Sequence, residues 1–292
     1  MADVKTTAAR PSTPQSGPRA GAPKNSGGFM LNLIVVAVCI IAGWLIWEYV
    51  LGAKNNFDDP LTRLKPTVDP KKSFGHTLGL MYTGGFIVPI LLATLLTLLS
   101  FIVERFLTVF KARGKGNSGE FVRKVQYHLA NKNVDAALAE CDKQSGSVGN
   151  VMRAGLVKYR EMINNNDLGT DQKVLSIQKE IEEATALELP MLEKNLVFMS
   201  TIASIATLLG LVGTVLGMIR SFAALGGSGG GGDATALAVG ISEALINTAL
   251  GITTSFVAII SYNFFTTVID GITFGIDESG FTLTQSFAST YR

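Results

Sequence analysis

The segment from Leu196 to Ile269 contains only three charged residues, Arg220, Asp233 and Glu243. The whole chain of 292 residues is 47% hydrophobic and only 16% charged, whereas soluble domains are about 25% charged. A helix crosses a bilayer with about 20 apolar residues, and it satisfies its backbone hydrogen bonds within itself. We therefore expect an all-α integral membrane protein.

Four apolar runs predict four transmembrane helices, with long helices extending into a cytoplasmic helical domain. The predicted helices cover residues 30–51, 76–110, 196–225 and 234–265. Pro89 predicts a kink in the second of them. The intervening segments are a disordered N-terminal tail at 1–29, a periplasmic loop at 52–75, a cytoplasmic helical region at 111–195, a Gly-rich periplasmic loop at 226–233 and a cytoplasmic tail at 266–292.

The distribution of Lys and Arg sets the expected orientation. The region 111–195 carries 13 of them, and the N-terminal tail adds Lys5, Arg10, Arg19 and Lys24. The loop at 52–75 carries five, and the Gly-rich loop carries none. Because positive charge accumulates on the inner side of a membrane, both termini are expected in the cytoplasm.

Glu243 is the only charge between Ala234 and Ile269. An acid inside a bilayer is costly, so its presence indicates a functional site. At about 100° per residue it shares an arc of roughly 140° with other polar side chains, namely Asn247, Thr248, Thr254 and Ser255. The opposite side of this helix is almost entirely apolar.

The preceding helix repeats this arrangement. Its small and polar side chains share one face, which carries Ser200, Ser204, Thr207, Thr214 and Ser221. Two adjacent polar faces, one with a carboxylate, favour the wall of an ion pathway. Two helices cannot close a lumen, so several copies of the chain are implied. Two other interpretations stay open: the small residues serve only helix packing, or Glu243 is a protonated acid held within the bundle.

The remaining candidate sites are weak. Cys39, Cys141, His76 and His128 are isolated from one another in the sequence, so neither a metal site nor a disulfide is expected. No phosphate-binding or nucleophile motif occurs in a credible context. The formal net charge of +2 gives no sign of nucleic-acid binding. We expect no cofactor and no enzymatic activity.

Several motifs resemble the MotA/TolQ/ExbB proton-channel family. They are LLGLVGTVLGMIRSF at 208–222, ISEALINTALG at 241–251 and SYNFF at 261–265, together with the Glu104-Arg105 pair and the run LPMLEKNLVFMSTIASIATLLG at 189–210. The similarity covers about residues 84 to 265, and the sequences of the motifs are nearer to those of ExbB and TolQ than to those of MotA. The chain departs from the family at Thr207, where members often have proline, and in its additional helix at 30–51.

This resemblance implies an inner-membrane homopentamer that encloses the helices of two ExbD- or TolR-like single-span partners. The partner brings an essential Asp, and proton flow drives a TonB- or TolA-like protein that acts on the outer membrane. The family's pore threonines correspond to Thr214 and Thr248, and its glutamate corresponds to Glu243. A stator of a flagellar or gliding motor, an autonomous channel and a membrane scaffold without ion conduction remain alternatives. The choice between protons and sodium ions also stays open.

Overall fold

The computed structural model describes residues 26–58, 73–226 and 234–291, which are helical and contain no strand. Most of the predicted N-terminal tail, most of the loop at 52–75 and nearly all of the Gly-rich loop lie outside these ranges. The α-helices are α1 (Ser26–Leu45), α2 (Ser73–Tyr82), α3 (Ile87–Ala112), α4 (Ser118–Ala130), α5 (Val134–Gln144), α6 (Gly146–Asn164), α7 (Thr170–Glu193), α8 (Leu196–Gly226) and α9 (Ala234–Thr290).

Four stretches of the described chain are long and apolar enough to cross a membrane, and they include α1, α3, α8 and α9. A π-helical turn, Ile46–Leu51, extends α1. The all-α membrane fold with four apolar helices is thus confirmed. Helix α8 runs unbroken through Thr207, where the family often has proline. The pentamer stays a prediction.

The predicted helix at 76–110 is divided in the structure. Helix α2 ends at Tyr82 and α3 begins at Ile87. The turn between them, residues 83–86, contains Gly85 with φ +76°, a conformation that favours glycine. Pro89 lies in the first turn of α3, where a missing N–H removes no helical hydrogen bond. The break therefore lies at the glycines rather than at the expected kink at Pro89.

Helix α9 continues far beyond the predicted end of its span at residue 265. Its 57 residues correspond to about 85 Å at 1.5 Å per residue, whereas the hydrocarbon core is about 30 Å thick. The predicted tail is therefore the second half of this helix. Its buried side chains recur at helical spacing and join the core formed with α4 to α7, and they are Phe265, Ile269, Ile272, Ile276, Leu283 and Phe287.

A buried arginine fixes the corner between α7 and α8. Arg105 is 1% exposed and pairs with its neighbour Glu104 at 2.7 Å. Its Nη1 also donates to the carbonyls of Met191 and Leu192, at 3.3 and 3.2 Å. These carbonyls end α7, where a helix leaves its last acceptors unpaired. The Glu104-Arg105 pair therefore caps a helix end.

The additional helix α1 reaches the same corner. Asn195, which joins α7 to α8 with φ +66°, donates from Nδ2 to Glu104 at 2.7 Å. Asn32 of α1 donates in turn to Oδ1 of Asn195 at 2.8 Å. A chain of polar contacts thus links α1, α3 and the start of α8.

Two titratable groups are buried in the extramembrane core formed by α4 to α7 and the end of α9. Burial raises the pKa of the Cys141 thiol to about 12, and the neighbouring Asp142 adds to the effect. Burial also raises the pKa of Tyr159 to about 12. The Tyr159 ring packs edge-on against Phe287 of α9, with ring centroids 4.8 Å apart.

We expect this core to lose stability as the pH rises above 9. The unfolded thiol and phenol release protons near their ordinary values of 9.0 and 10.0, whereas the folded groups keep them until about 12. Each group then lowers the free energy of unfolding by up to about 1.4 kcal/mol per pH unit. Denaturant unfolding of the detergent-solubilised protein, followed by circular dichroism between pH 8 and 11, measures this loss.

Tyr159→Phe supplies the control for this alkaline effect. The variant keeps the ring packing but has no phenol to ionise, so its stability should fall less steeply above pH 10 than that of the wild type. Parallel pH curves for the two proteins would contradict the assignment to Tyr159.

Candidate ion pathway on helices α8 and α9

Helices α8 and α9 pack closely through glycines. A Cβ atom on Gly217 would lie 2.8 Å from the carbonyl oxygen of Gly240 and 2.9 Å from Cβ of Ala244. A Cβ on Gly251 would lie 2.6 Å from the Ala206 carbonyl oxygen. Small residues allow this close approach of two backbones in a membrane, so the glycines of both helices form one continuous packing face.

The predicted arc on α9 forms a shared face in the structure. Its members are buried, apart from the half-buried Thr248, and they are Gly240, Glu243, Ala244, Asn247, Gly251, Thr254, Ser255 and Ala258. Large apolar side chains on the other side are exposed, among them Ile241, Leu245, Ile252, Phe256, Ile259 and Ile260. The buried polar groups of the arc thus lie within one chain, where they contact α8 and the turn at 83–86.

Glu243 forms an ion pair with Arg220. The Glu243 residue is 8% exposed, and its Oε1 accepts a hydrogen bond from Nη1 of Arg220 at 2.5 Å. The Arg220 side chain is 52% exposed. The pair compensates the charge of a carboxylate that would otherwise lie alone in an apolar surrounding.

The role of Arg220 was not predicted from the sequence. A signal was present, because this arginine is the one cation between Leu196 and Ile269 and Glu243 is the one acid within the next span. Two lone opposite charges on consecutive antiparallel helices, both near the connecting loop, favour a pair. The register of the two helices was needed to see that they meet.

Asn247 lies one helical turn from Glu243 and attaches the turn at 83–86 to α9. Its side chain is fully buried, and Nδ2 donates to the carbonyl oxygen of Gly84 at 2.9 Å. Its Oδ1 is buried without a hydrogen-bond partner among the described residues. The neighbouring Gly85 approaches so closely that a Cβ there would overlap Oε1 of Glu243.

The buried hydroxyls hold the two helices together or bond within one helix. Ser255 donates to the Ala203 carbonyl oxygen of α8 at 2.6 Å. Ser221 Oγ lies 3.0 Å from the Gly217 carbonyl oxygen and 3.3 Å from that of Leu237. Thr254 donates to the carbonyl oxygen of Leu250, within α9.

The other hydroxyls of α8 lie towards its open side. Ser200 and Thr214 are half-buried, and Ser204 and Thr207 are exposed. Thr214 donates to the Leu211 carbonyl oxygen at 2.6 Å. Thr248 donates to the carbonyl oxygen of Gly210 at 3.3 Å, and Gly210 lies one turn before Thr214. The two threonines therefore lie at a similar level of the hairpin, whereas Glu243 lies closer to the connecting loop.

The described part of the membrane region offers little else that could bind an ion. Within the described ranges, no group of three or more His, Cys, Asp or Glu side chains is close enough to hold a metal ion. A groove of about 610 Å³ between α1, α3 and α8 is lined by apolar side chains such as Trp44, Phe101 and Ile205. It offers few ligands to an ion, so α8 and α9 remain the candidate site.

Residues 144–278 match the MotA/TolQ/ExbB proton channel family. This segment of the chain belongs to that family. It contains α6 to α8 and most of α9, with every predicted pathway residue. For this segment the sequence-based assignment to the MotA/TolQ/ExbB family is confirmed, and with its four apolar helices the chain is a multi-pass membrane protein.

Known relatives carry the names TolQ and ExbB. The Tol-Pal system protein TolQ of Pseudomonas aeruginosa is 34% identical over 124 residues, which are 42% of this chain and 53% of the relative. TolQ of Haemophilus influenzae is 30% identical over 148 residues, 50% of this chain and 60% of the relative. The biopolymer transport protein ExbB of Helicobacter pylori is 44% identical over 85 residues, 29% of this chain and 57% of the relative.

The chain spans about half the length of the curated relatives that it matches. Helices α1 to α3 lie outside the segment that matches the MotA/TolQ/ExbB family. The turn at 83–86, which contacts Glu243, therefore comes from a part of the chain that the family match does not cover.

Proposed function

We propose that this chain is an inner-membrane proton-channel subunit of the ExbB/TolQ type. With an ExbD- or TolR-like single-span partner, it converts the proton-motive force into mechanical work on a TonB- or TolA-like protein. The observation that carries the proposal is the polar hairpin of α8 and α9, which bears a paired intramembrane carboxylate within the family segment.

The chemistry of the threonines supports this assignment. Each hydroxyl donates a hydrogen bond to a backbone carbonyl oxygen, that of Leu211 for Thr214 and that of Gly210 for Thr248. A hydroxyl in this state keeps lone pairs that accept a hydrogen bond from water. It does not titrate at accessible pH, so it orients water rather than carrying a proton. A titrating group from elsewhere is then required.

A partner helix is the natural source of that group. The carboxylate of Glu243 is paired with the guanidinium of Arg220. The other described acids of the chain lie at the ends of the apolar helices or outside them. An Asp on a single-span partner completes the pathway, and several copies of this chain are needed to enclose it. We place both termini in the cytoplasm, in accordance with the excess of Lys and Arg in the tail and in 111–195.

We expect Thr214→Val and Thr248→Val to abolish proton flux while the protein still inserts in the membrane. Valine has nearly the shape of threonine but lacks the hydroxyl whose lone pairs accept a hydrogen bond from water. Thr253→Val is the matched control, because Thr253 lies on the exposed side of α9 and bonds within its own helix. The measurement is proton entry into liposomes that contain the chain and its single-span partner, followed with a pH-sensitive dye.

The scaffold alternative predicts a different result for the same variants. If the polar faces only hold an assembly together, Thr214→Val and Thr248→Val lower the stability of the oligomer without a specific loss of flux. Native mass spectrometry in detergent measures that stability. Normal flux in both variants would contradict the proposed pathway.

A further inference from the structure

Three separate elements meet at the carboxylate of Glu243. Arg220 reaches it from α8, the residue itself lies on α9, and the turn at 83–86 covers it from the junction of α2 and α3. A Cβ atom on Gly85 would overlap Oε1 of Glu243 and would lie 3.4 Å from Nη1 of Arg220. Only a glycine leaves room for the pair at this position.

We propose that Arg220 is a positioning residue for Glu243, and that the Gly84-Gly85 turn closes over the pair as a latch. The latch consists of Arg220, Glu243, Asn247 and the two glycines. It keeps the carboxylate directed towards the turn, and its release accompanies the movement that couples ion flow to work. This inference rests on the proposed function, and it assigns to Arg220 a role in that function.

The packing of the hairpin does not depend on the pair. Glycines of α8 and α9 contact the opposite helix from Gly251 to Gly217, over several turns. Loss of one ion pair at the loop end leaves those contacts in place. A role in orienting Glu243 can therefore be separated by experiment from a role in holding the helices together.

The unequal burial of the two partners makes the pair releasable. The carboxylate side chain is 11% exposed, whereas the guanidinium side chain is 52% exposed. A long arginine side chain that already contacts its surroundings can turn away from the protein at modest cost. If both side chains were buried, neither could turn towards the surroundings without leaving the other charge buried and unpaired.

The turn is tied to α9 by more than the ion pair. Asn247 donates to the Gly84 carbonyl oxygen, and a Cβ on Gly84 would lie 3.0 Å from Ile246. Movement of Glu243 away from its present position therefore changes the contacts of the turn. Helices α2 and α3 are in this way coupled to the carboxylate.

Chemical modification of Arg220 tests the latch without any transport measurement. Phenylglyoxal reacts with free guanidinium groups, and the modified peptide is identified by mass spectrometry. In Glu243→Gln the rate at Arg220 should rise about tenfold, because a charge-assisted hydrogen bond is worth about a factor of ten. Arg153, an exposed arginine paired with Asp142 at 3.0 Å, is the internal reference and should not change. An unchanged rate at Arg220 would overturn the proposal.

Proton flux with the single-span partner supplies the second measurement. Arg220→Gln should lower flux as much as Glu243→Gln, and the double variant should lower it no further, since both changes open one latch. Arg220→Lys keeps the charge and should restore most of the flux. Additive losses, or wild-type flux in Arg220→Gln, would overturn the proposal.

Gly85→Ala probes the turn itself. It places a methyl group against Glu243, and it should raise the phenylglyoxal rate at Arg220 and lower flux. Gly116→Ala is the matched control, because Gly116 has a similar φ of +92° but its Cβ would have no atom closer than 3.7 Å. Equal effects of the two substitutions would show backbone strain alone and would overturn the role of the turn. A chain that labels as expected but never conducts protons would instead refute the proposed function.

Discussion

Glu243→Ala is expected to abolish ion-driven work while leaving membrane insertion intact. The substitution removes the carboxylate and leaves Arg220 without its partner. Removing one member of a buried ion pair costs about 3–5 kcal/mol, although the half-exposed Arg220 side chain places this case towards the low end. The glycine contacts of α8 and α9 persist, so the hairpin should still form. The measurements are partner-dependent proton flux in liposomes and the amount of chain in the membrane fraction.

Glu243→Gln separates two roles of the same carboxylate. Glutamine keeps the size and one acceptor oxygen, but it cannot carry a proton. If an Asp on the partner carries the proton, flux should fall only in part. A complete loss with normal folding would instead make Glu243 the carrier.

Gly251→Val is expected to force α8 and α9 apart and to lower the stability of the folded protein. The Cβ alone would lie 2.6 Å from the Ala206 carbonyl oxygen and 2.9 Å from Cα of Gly210. These are backbone atoms and cannot move aside as a flexible side chain can. Overpacking a core costs about 1–3 kcal/mol, and we expect this site to reach the upper end of that range. Thermal unfolding in detergent, followed by size-exclusion chromatography, measures the loss.

Gly271→Val is the matched control on the same helix. Gly271 lies in the extramembrane half of α9, and its Cβ would have no atom within 4 Å. Both variants replace a helical glycine by the same β-branched residue, and this replacement alone changes the helix propensity by only a few tenths of a kcal/mol. A similar loss of stability in the two variants would contradict close packing as the cause.

The features that could be predicted from the sequence are local. Four apolar runs and the arc around Glu243 follow from hydropathy and helical periodicity, which the chain carries within each segment. In the structure the members of the arc share one side of α9, where Gly240, Ala244 and Gly251 allow the backbone of α8 to approach. Their role in an ion pathway stays a prediction. The sequence resemblance also identified the family of the segment 144–278, since three of its motifs lie within α8 and α9.

The features that could not be predicted depend on contacts between distant segments. The break at Gly84-Gly85 was missed because Pro89 is the stronger local signal, whereas the glycine turn is required by its contact with α9. The pair of Arg220 and Glu243 depends on the register of the hairpin. The continuation of α9 to Thr290 depends on burial of its second half against α4 to α7.

The hairpin of α8 and α9 carries two groups of polar side chains with different chemistry, Thr214 with Thr248 and Glu243 with Arg220. The threonines at the level of Gly210 offer oxygen acceptors that orient water, whereas Glu243 is held by Arg220 and the glycine turn. On this account the chain supplies the walls of the pathway and a carboxylate that responds to movement. In the proposed function, the group that takes up and releases the transported proton belongs to the partner.

One measurement tests most directly whether this chain supplies the pathway walls while a partner supplies the proton-carrying group. It compares proton flux into liposomes that contain this chain alone with flux when the single-span partner is also present. We expect little flux from the chain alone and a large increase with a partner that carries an intramembrane Asp. Equal flux with and without the partner would contradict the account and would show that the chain is an autonomous channel.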